Sequence, residues 1–159
     1  WPDLRRSPTE TAGVPKFMNA WCHGAPGIAL TRLKLSRLSS DPTILDEATI
    51  ALRTTADAAD KLIAANTGNY SLCHGLAGNG DILLGATGVP EEARYRQLAY
   101  QVGEHGIDRF GTGKPPWPSG LSGSQYVPSF MQGLAGTGHF YLRLHSPDTT
   151  PSLLATGLA

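Results

Sequence analysis

Charged residues are scarce in this chain of 159 residues, where they make up 16% of the composition. The 13 basic and 13 acidic residues cancel, so no basic excess supports binding to nucleic acid or to an anionic membrane. No apolar run approaches the roughly 18–20 residues that a membrane-spanning helix needs. A hydrophobic share of 40% is sufficient for a sizeable core, and we expect a folded domain or a part of one.

Cysteine is also rare, because the chain contains only Cys22 and Cys73. Two cysteines are too few for the disulfide framework of a small secreted protein. They can form one disulfide, remain free or bind a metal.

No signal peptide opens the chain, which starts at Trp1 without an initiator methionine. We therefore expect a cytoplasmic protein of which this chain is a fragment.

Glycine is abundant, and many of the glycines belong to a motif that occurs three times. The copies begin at positions 22, 73 and 131 and read CHGAPGIAL, CHGLAGNGD and MQGLAGTGH. Their first glycines, Gly24, Gly75 and Gly133, are 51 and 58 residues apart. A period of about 50 residues has room for two helices and two turns, and such self-similarity is typical of stacked structural units.

The segments around the motifs predict helices of two kinds. Asp41 and Pro42 are typical of a helix start, and an amphipathic stripe leads from there to a predicted end near Gly68. A second amphipathic helix is predicted from 90 toward 110, weakened near its end by two glycines. Shorter, more buried helices are predicted at 26–38, 76–84 and 134–144. The segment 111–128 contains four prolines and four glycines and is predicted to be a loop.

This alternation of buried and amphipathic helices predicts an all-α fold, an α/α toroid in which the buried helices line the inside. Three motif copies correspond to a partial toroid of about three helical hairpins. The glycines are expected to allow close packing of helices near the crowded axis. A phosphate-binding turn is the alternative, but no Walker lysine follows the motifs and no predicted strand precedes them.

The pair Cys-His occurs at equivalent places in two motif copies, and rotation about a toroid axis would bring both pairs to the same end. Thiolate and imidazole are ligands that suit Zn²⁺. The third copy has Met131 and Gln132 in these places. The residues alone leave open which imidazole, that of His23 or of His74, would join the two sulfurs. They also leave open whether the cysteines are buried hydrophobic groups or a disulfide.

The three copies and their neighbours read WCHGAPGI at 21–28, LCHGLAGNG at 72–80 and PSFMQGLAG at 128–136. In this order they resemble the lanthionine synthetase C-like (LanC) family, the cyclase component of lanthipeptide synthetases. The resemblance covers most of the chain. Residues 1–159 resemble the C-terminal portion of the cyclase domain, and the end of the chain resembles the end of multidomain lantibiotic synthetases.

The resemblance implies a double α-toroid with a central Zn²⁺ held by Cys22, Cys73 and His74. It implies a Michael-type addition of a peptide cysteine thiol to dehydroalanine or dehydrobutyrine, which forms a thioether (lanthionine) ring in a dehydrated precursor peptide. In the family an upstream half supplies a further His and Asp, so catalysis would need the remainder of the synthetase chain. His23 is a candidate proton donor, with hydrogen bonding to its own turn as the alternative.

Two other functions compete with this one. The first is a non-catalytic relative that uses the same zinc to hold a thiol such as glutathione, and the second is a metal-free α/α toroid with buried cysteines. The remaining candidate residues have structural interpretations. They are Trp21 as packing or as a peptide-contacting wall, Trp117 as a loop anchor, Asp81 as a carboxylate near a helix N-terminus, and His105, His139 and His145 as surface or hydrogen-bonded groups.

Overall fold

The computed structural model describes residues 1–2, 17–121 and 127–155. Over these residues it contains five helices, which are α1 (Ala25–Ser36), α2 (Pro42–Ala64), α3 (Leu76–Leu84), α4 (Glu92–Phe110) and α5 (Leu134–His145). The only extended pairing in the same ranges is a single bridge between Asn19 and Gly24. The chain is therefore all-α, as predicted. None of the helices in the described ranges combines the length and the hydropathy that crossing a membrane requires.

The helices alternate between inner and outer positions. The inner helices α1, α3 and α5 each follow a copy of the motif, and α3 contacts both of the others. The outer helix α2 packs mainly against α1, and α4 packs mainly against α3. Every residue of α3 is buried, whereas α2 and α4 bury one face each. Two helical hairpins and a third inner helix thus form the partial α/α toroid that the repeat predicts.

The outer helix α2 begins where the sequence predicts and ends earlier. Asp41 caps it by accepting a hydrogen bond from the Thr43 amide at 2.9 Å, and Pro42 occupies its first position. The last helical residue is Ala64, and Asn66, with a φ of 56°, is the first residue to adopt the left-handed conformation. Asparagine tolerates this conformation better than most residues with a side chain. The predicted end near Gly68 is therefore a few residues too late.

Two glycines that were expected to weaken the end of α4 lie inside a continuous helix. A Cβ on Gly103 would be 2.5 Å from Cδ1 of Leu144, and a Cβ on Gly106 would be 2.4 Å from the hydroxyl oxygen of Tyr141. Both glycines are buried, and because they have no side chain, α5 can lie close to α4. This packing outweighs the helix penalty of about 1 kcal/mol per glycine.

The turns that precede the inner helices are joined by backbone hydrogen bonds between equivalent motif positions. The Cys22 amide donates to the Cys73 carbonyl at 3.3 Å, and the Cys73 amide donates to the Met131 carbonyl at 2.9 Å. These three residues occupy the same place in the three copies. The repeat therefore places equivalent residues side by side at one end of the inner helices.

The motif glycines allow each turn to pack on the chain that precedes it. A Cβ on Gly78 would be 2.0 Å from the Leu72 carbonyl oxygen, and a Cβ on Gly136 would be 1.9 Å from the Phe130 carbonyl oxygen. Because backbone atoms occupy this space, no side chain can replace these glycines without moving the turn. The structural role predicted for the glycines is confirmed. The crowding at Gly78 and Gly136 comes from the motif's own loop, whereas a Cβ on Gly80 would be 2.7 Å from Cζ of Phe140 in the neighbouring inner helix.

Candidate metal centre

Three potential metal ligands meet at the end of the inner helices where the motif turns lie. Cys22 lies in the turn before α1, and Cys73 and His74 lie in the turn before α3. Their ligand atoms, two sulfurs and one imidazole nitrogen, all lie within 4.8 Å of one another. Among the residues that the structure describes, this is the only group of three or more His, Cys, Asp or Glu side chains at such a separation. We call it the ligand group.

The two thiols of the ligand group are free, so they do not form the disulfide that the sequence left open. Cys22 is exposed and Cys73 is half-buried. Burial, together with the contact with Cys22, raises the pKa of the Cys73 thiol to about 11. Without a metal, Cys73 therefore keeps its proton at neutral pH, and a bound cation would displace that proton.

The side chain and the backbone of His74 each have a partner in the protein. The ring atom Nε2 lies 2.8 Å from the carbonyl oxygen of Gly120, in the loop that follows α4. The His74 amide donates to the hydroxyl oxygen of Ser71 at 3.2 Å. These contacts hold the imidazole next to the two sulfurs.

His23, the second histidine that follows a motif cysteine, does not belong to the ligand group. Its backbone amide donates to the Ala20 carbonyl, and its carbonyl accepts from the Ala20 amide, both at 3.2 Å. Its side chain is half-buried. The structure thus brings Cys22, Cys73 and His74 together and leaves His23 as a neighbour of Cys22 outside this group.

The two candidate tryptophans pack against the rest of the protein. Trp21 is half-buried, and its indole N–H donates to the Leu154 carbonyl at 3.1 Å. The ring centroid of Trp117 lies 5.0 Å from that of Tyr70 and 5.5 Å from that of Tyr141, with near-perpendicular planes in both pairs. Trp117 is therefore the anchor of its loop, as predicted, and Trp21 joins the first motif turn to the C-terminal segment.

Asp81 is a structural residue, but for another reason than the predicted one. It is the sixth residue of α3, beyond the first turn, so it does not interact with the positive end of the helix dipole. Its buried carboxylate accepts hydrogen bonds from the Arg143 guanidinium at 2.6 Å and from the Ser152 hydroxyl. Arg143 is buried as well, and this ion pair joins α3 to α5 inside the core.

The other three histidines lie outside the ligand group, in agreement with the prediction. Nδ1 of His105 lies 2.7 Å from the Tyr70 hydroxyl oxygen, and its Nε2 lies 3.1 Å from Oδ1 of Asn66. Burial lowers the pKa of His105. His139 is hydrogen-bonded to a backbone carbonyl oxygen, and His145 is exposed at the end of α5.

Sequence reasoning did not single out Gly120 and Ser71, which both contact His74. A signal was present for Ser71, because Ser129 occupies the same place in the third copy and accepts a hydrogen bond from the Gln132 amide at 3.3 Å. No comparable signal marks Gly120, which is one of several glycines in a loop rich in glycine and proline.

Two thiols and one imidazole at this separation have the composition of a zinc site with three protein ligands. The motif order and the all-helical fold agree with a comparison of the chain with known protein families. A family model described as lanthionine synthetase C-like protein matches residues 1–155, which is nearly the whole chain. The chain therefore belongs to the lanthionine synthetase C-like family.

Proposed function

We propose that this chain is the zinc-binding, C-terminal portion of a lanthionine cyclase and that Cys22, Cys73 and His74 are the metal ligands. The observation that carries the proposal is the convergence within 4.8 Å of donor atoms from two motif turns. Three protein ligands are typical of catalytic zinc sites, which keep a position for water or substrate. When bound there, Zn²⁺ would lower the pKa of an incoming peptide thiol and hold it as a thiolate.

The properties of the ligand residues suit this role. As thiolates, Cys22 and Cys73 supply two negative charges, so a third sulfur arriving from a peptide would make the site anionic and stay nucleophilic. Cys22 is exposed, which gives a peptide access from solvent. Cys73 and His74 are half-buried and are held by hydrogen bonds to other turns, which limits their movement.

The proposed substrate is a dehydrated precursor peptide, and the proposed partner is the remainder of the synthetase or cyclase chain. The sulfur of a peptide cysteine forms a bond to the β-carbon of dehydroalanine or dehydrobutyrine, and the electron pair of the double bond moves toward the carbonyl. The thiol has given up its proton, and the α-carbon of this enolate takes up one proton, so the peptide mass does not change. His23, next to Cys22 and half-buried, is the proton donor that we propose from this chain.

Metal analysis of the purified protein tests the ligand assignment. We expect about one zinc ion per chain, bound with an affinity that falls as the pH is lowered. The variants Cys22→Ala, Cys73→Ala and His74→Ala should lose the ion. The matched control is His145→Ala, which removes an exposed imidazole at the end of α5 and should keep it. Folded native protein without zinc affinity would be a metal-free helical scaffold and would contradict the proposal.

Incubation of the whole protein with a dehydrated peptide that contains a free cysteine tests the reaction. Cyclisation leaves the mass unchanged but consumes thiols, so later alkylation of the peptide should fall. A His23→Phe variant should retain zinc and slow this loss by about 10²–10⁴-fold if His23 is the proton donor. Complete alkylation after incubation with zinc-loaded protein would favour a thiol-binding protein without catalysis.

A further inference from the structure

We infer that Gly120 is a positioning residue, whose carbonyl oxygen holds His74 in the tautomer that carries hydrogen on Nε2 and thereby directs Nδ1 toward the metal. The inference rests on the proposed function, since it concerns the ligand atom that His74 would offer. It adds a residue from a loop outside the three motif copies.

The chemistry of the contact determines the tautomer. A carbonyl oxygen can only accept a hydrogen bond, so Nε2 of His74, at 2.8 Å from the Gly120 oxygen, must be the donor. A neutral imidazole that carries its hydrogen on Nε2 has its free electron pair on Nδ1. Nδ1 is therefore the ring nitrogen whose electron pair remains available to a metal.

The Gly120 carbonyl is held in place by other parts of the fold. The Gly120 amide donates to the Gln132 carbonyl at 2.8 Å, which ties the loop to the third motif copy. Two residues earlier, the Pro118 carbonyl accepts from the Tyr70 amide at 3.0 Å. The ring of Trp117 is packed in the aromatic cluster described above. The loop thus presents a fixed acceptor, although its composition is that of a flexible segment.

The contact also requires glycine at this position. A Cβ on residue 120 would lie 2.8 Å from both Cε1 and Nε2 of His74 and 3.0 Å from the Ser71 hydroxyl oxygen. Carbon atoms do not approach this closely, so the imidazole would have to move away from the carbonyl. Glycine is needed here because there is no room for a Cβ. The substitution Gly120→Ala would therefore displace the His74 ring.

The first test is ¹⁵N nuclear magnetic resonance of the metal-free native protein, which reports which ring nitrogen of His74 carries hydrogen. We expect hydrogen on Nε2. Hydrogen on Nδ1, or rapid exchange between both tautomers, would overturn the inference. This result does not depend on whether the protein binds zinc, and it does not depend on the folding of any variant.

The second test compares zinc affinities of the native protein, Gly120→Ala and Gly138→Ala. Gly138 has no atom within 4 Å of its would-be Cβ, so the same substitution there is the control. Loss of a group that orients a metal-binding histidine weakens metal affinity by about 10–100-fold, and we expect this for Gly120→Ala and not for Gly138→Ala. Equal affinities in all three proteins would overturn the inference, whereas absence of zinc affinity in the native protein would instead contradict the proposed function.

Discussion

The two cysteines of the ligand group lie in different environments. Cys22 is exposed, while burial and the neighbouring Cys22 raise the pKa of the half-buried Cys73 to about 11. Only the thiolate reacts with alkylating reagents. At pH 8 a thiol with this pKa is ionised to an extent of about 0.1%. Differences in reactivity should therefore reveal the environment of each cysteine before any metal is added.

We expect iodoacetamide at pH 8 to modify Cys22 well before Cys73 in the metal-free protein. Raising the pH to 10 should accelerate modification of Cys73 by about 100-fold, because the thiolate fraction of a group with a raised pKa continues to grow in this range. Peptide mass mapping over time measures both rates. Similar rates for the two cysteines at pH 8 would contradict the burial of Cys73.

The ion pair of Asp81 and Arg143 is the second residue-level feature that can be tested. Arg143→Met would leave the Asp81 carboxylate in the core without its cation, and breaking a buried pair in this way costs about 3–5 kcal/mol of the free energy of unfolding. The control is Arg94→Met, because Arg94 pairs with Asp57 and Glu91 at a partly exposed site, where such pairs contribute about 0–1 kcal/mol.

Urea denaturation of the two arginine variants and the native protein measures both costs. If Arg143→Met destabilised the protein no more than Arg94→Met, the ion pair would not be the structural element that we describe.

At the level of the helices, the starts of the inner helices are the parts that local sequence predicts best. The predicted range 76–84 coincides with α3, and the prediction 134–144 stops one residue before the end of α5. A motif glycine immediately precedes each of these helices, so the residue that marks the helix start is adjacent to it in the sequence. The helix α4 reaches Phe110 as predicted, because Gly103 and Gly106 make room for α5 and this packing outweighs their helix penalty. The end of α2 lies a few residues before the predicted one, close to the left-handed Asn66.

The close approach in the motif turns leads to a prediction about two glycines of inner helices. Gly78→Ala would place a Cβ 2.0 Å from a backbone carbonyl oxygen of the preceding loop, and overpacking of this kind costs about 1–3 kcal/mol. Gly138→Ala meets no atom within 4 Å and should stabilise α5 by about 0.5–1 kcal/mol.

Thermal and urea unfolding of both glycine variants gives these free energies. If Gly138→Ala had a lower free energy of unfolding than Gly78→Ala, the described packing of the motif turns would be contradicted. Gly78→Ala should also weaken zinc binding, since the loop that it displaces contains Leu72, next to Cys73.

At the level of the whole molecule, the ligand group connects hairpins that are distant in the chain. Cys22 precedes α1 and the pair Cys73–His74 precedes α3, so a metal bound by all three would join the two inner helices at one end. The unfolded chain does not hold these residues together. A metal that binds only the folded protein stabilises it by mass action.

We therefore expect zinc to raise the melting temperature of the native protein. At a free zinc concentration 100 times the dissociation constant, the stabilisation is about 2.7 kcal/mol, which corresponds to roughly 5–10 °C for a chain of this length. Differential scanning calorimetry with zinc or with a chelator measures the shift. The Cys22→Ala/Cys73→Ala double variant should show no shift of the melting temperature with zinc. A native protein whose melting temperature does not change with zinc would contradict the ligand assignment.

The helical class, the repeat and the residues Cys22, Cys73, His23 and His74 could all be recognised in the linear sequence. These features depend on short-range patterns, such as glycine turns, helix starts and a motif that returns after about 50 residues. The family resemblance rests on the same three stretches, and the match to the lanthionine synthetase C-like family confirms it.

Other properties became visible when residues far apart in the chain were brought together. These are the contact of His74 with Gly120 and the pairing of Asp81 with Arg143, whereas the family resemblance already implied His74 as the imidazole beside the two sulfurs. Each is a contact across 46 residues or more, and no local preference encodes its partner. Such contacts form only when distant segments of the chain pack against one another, which no single segment can specify.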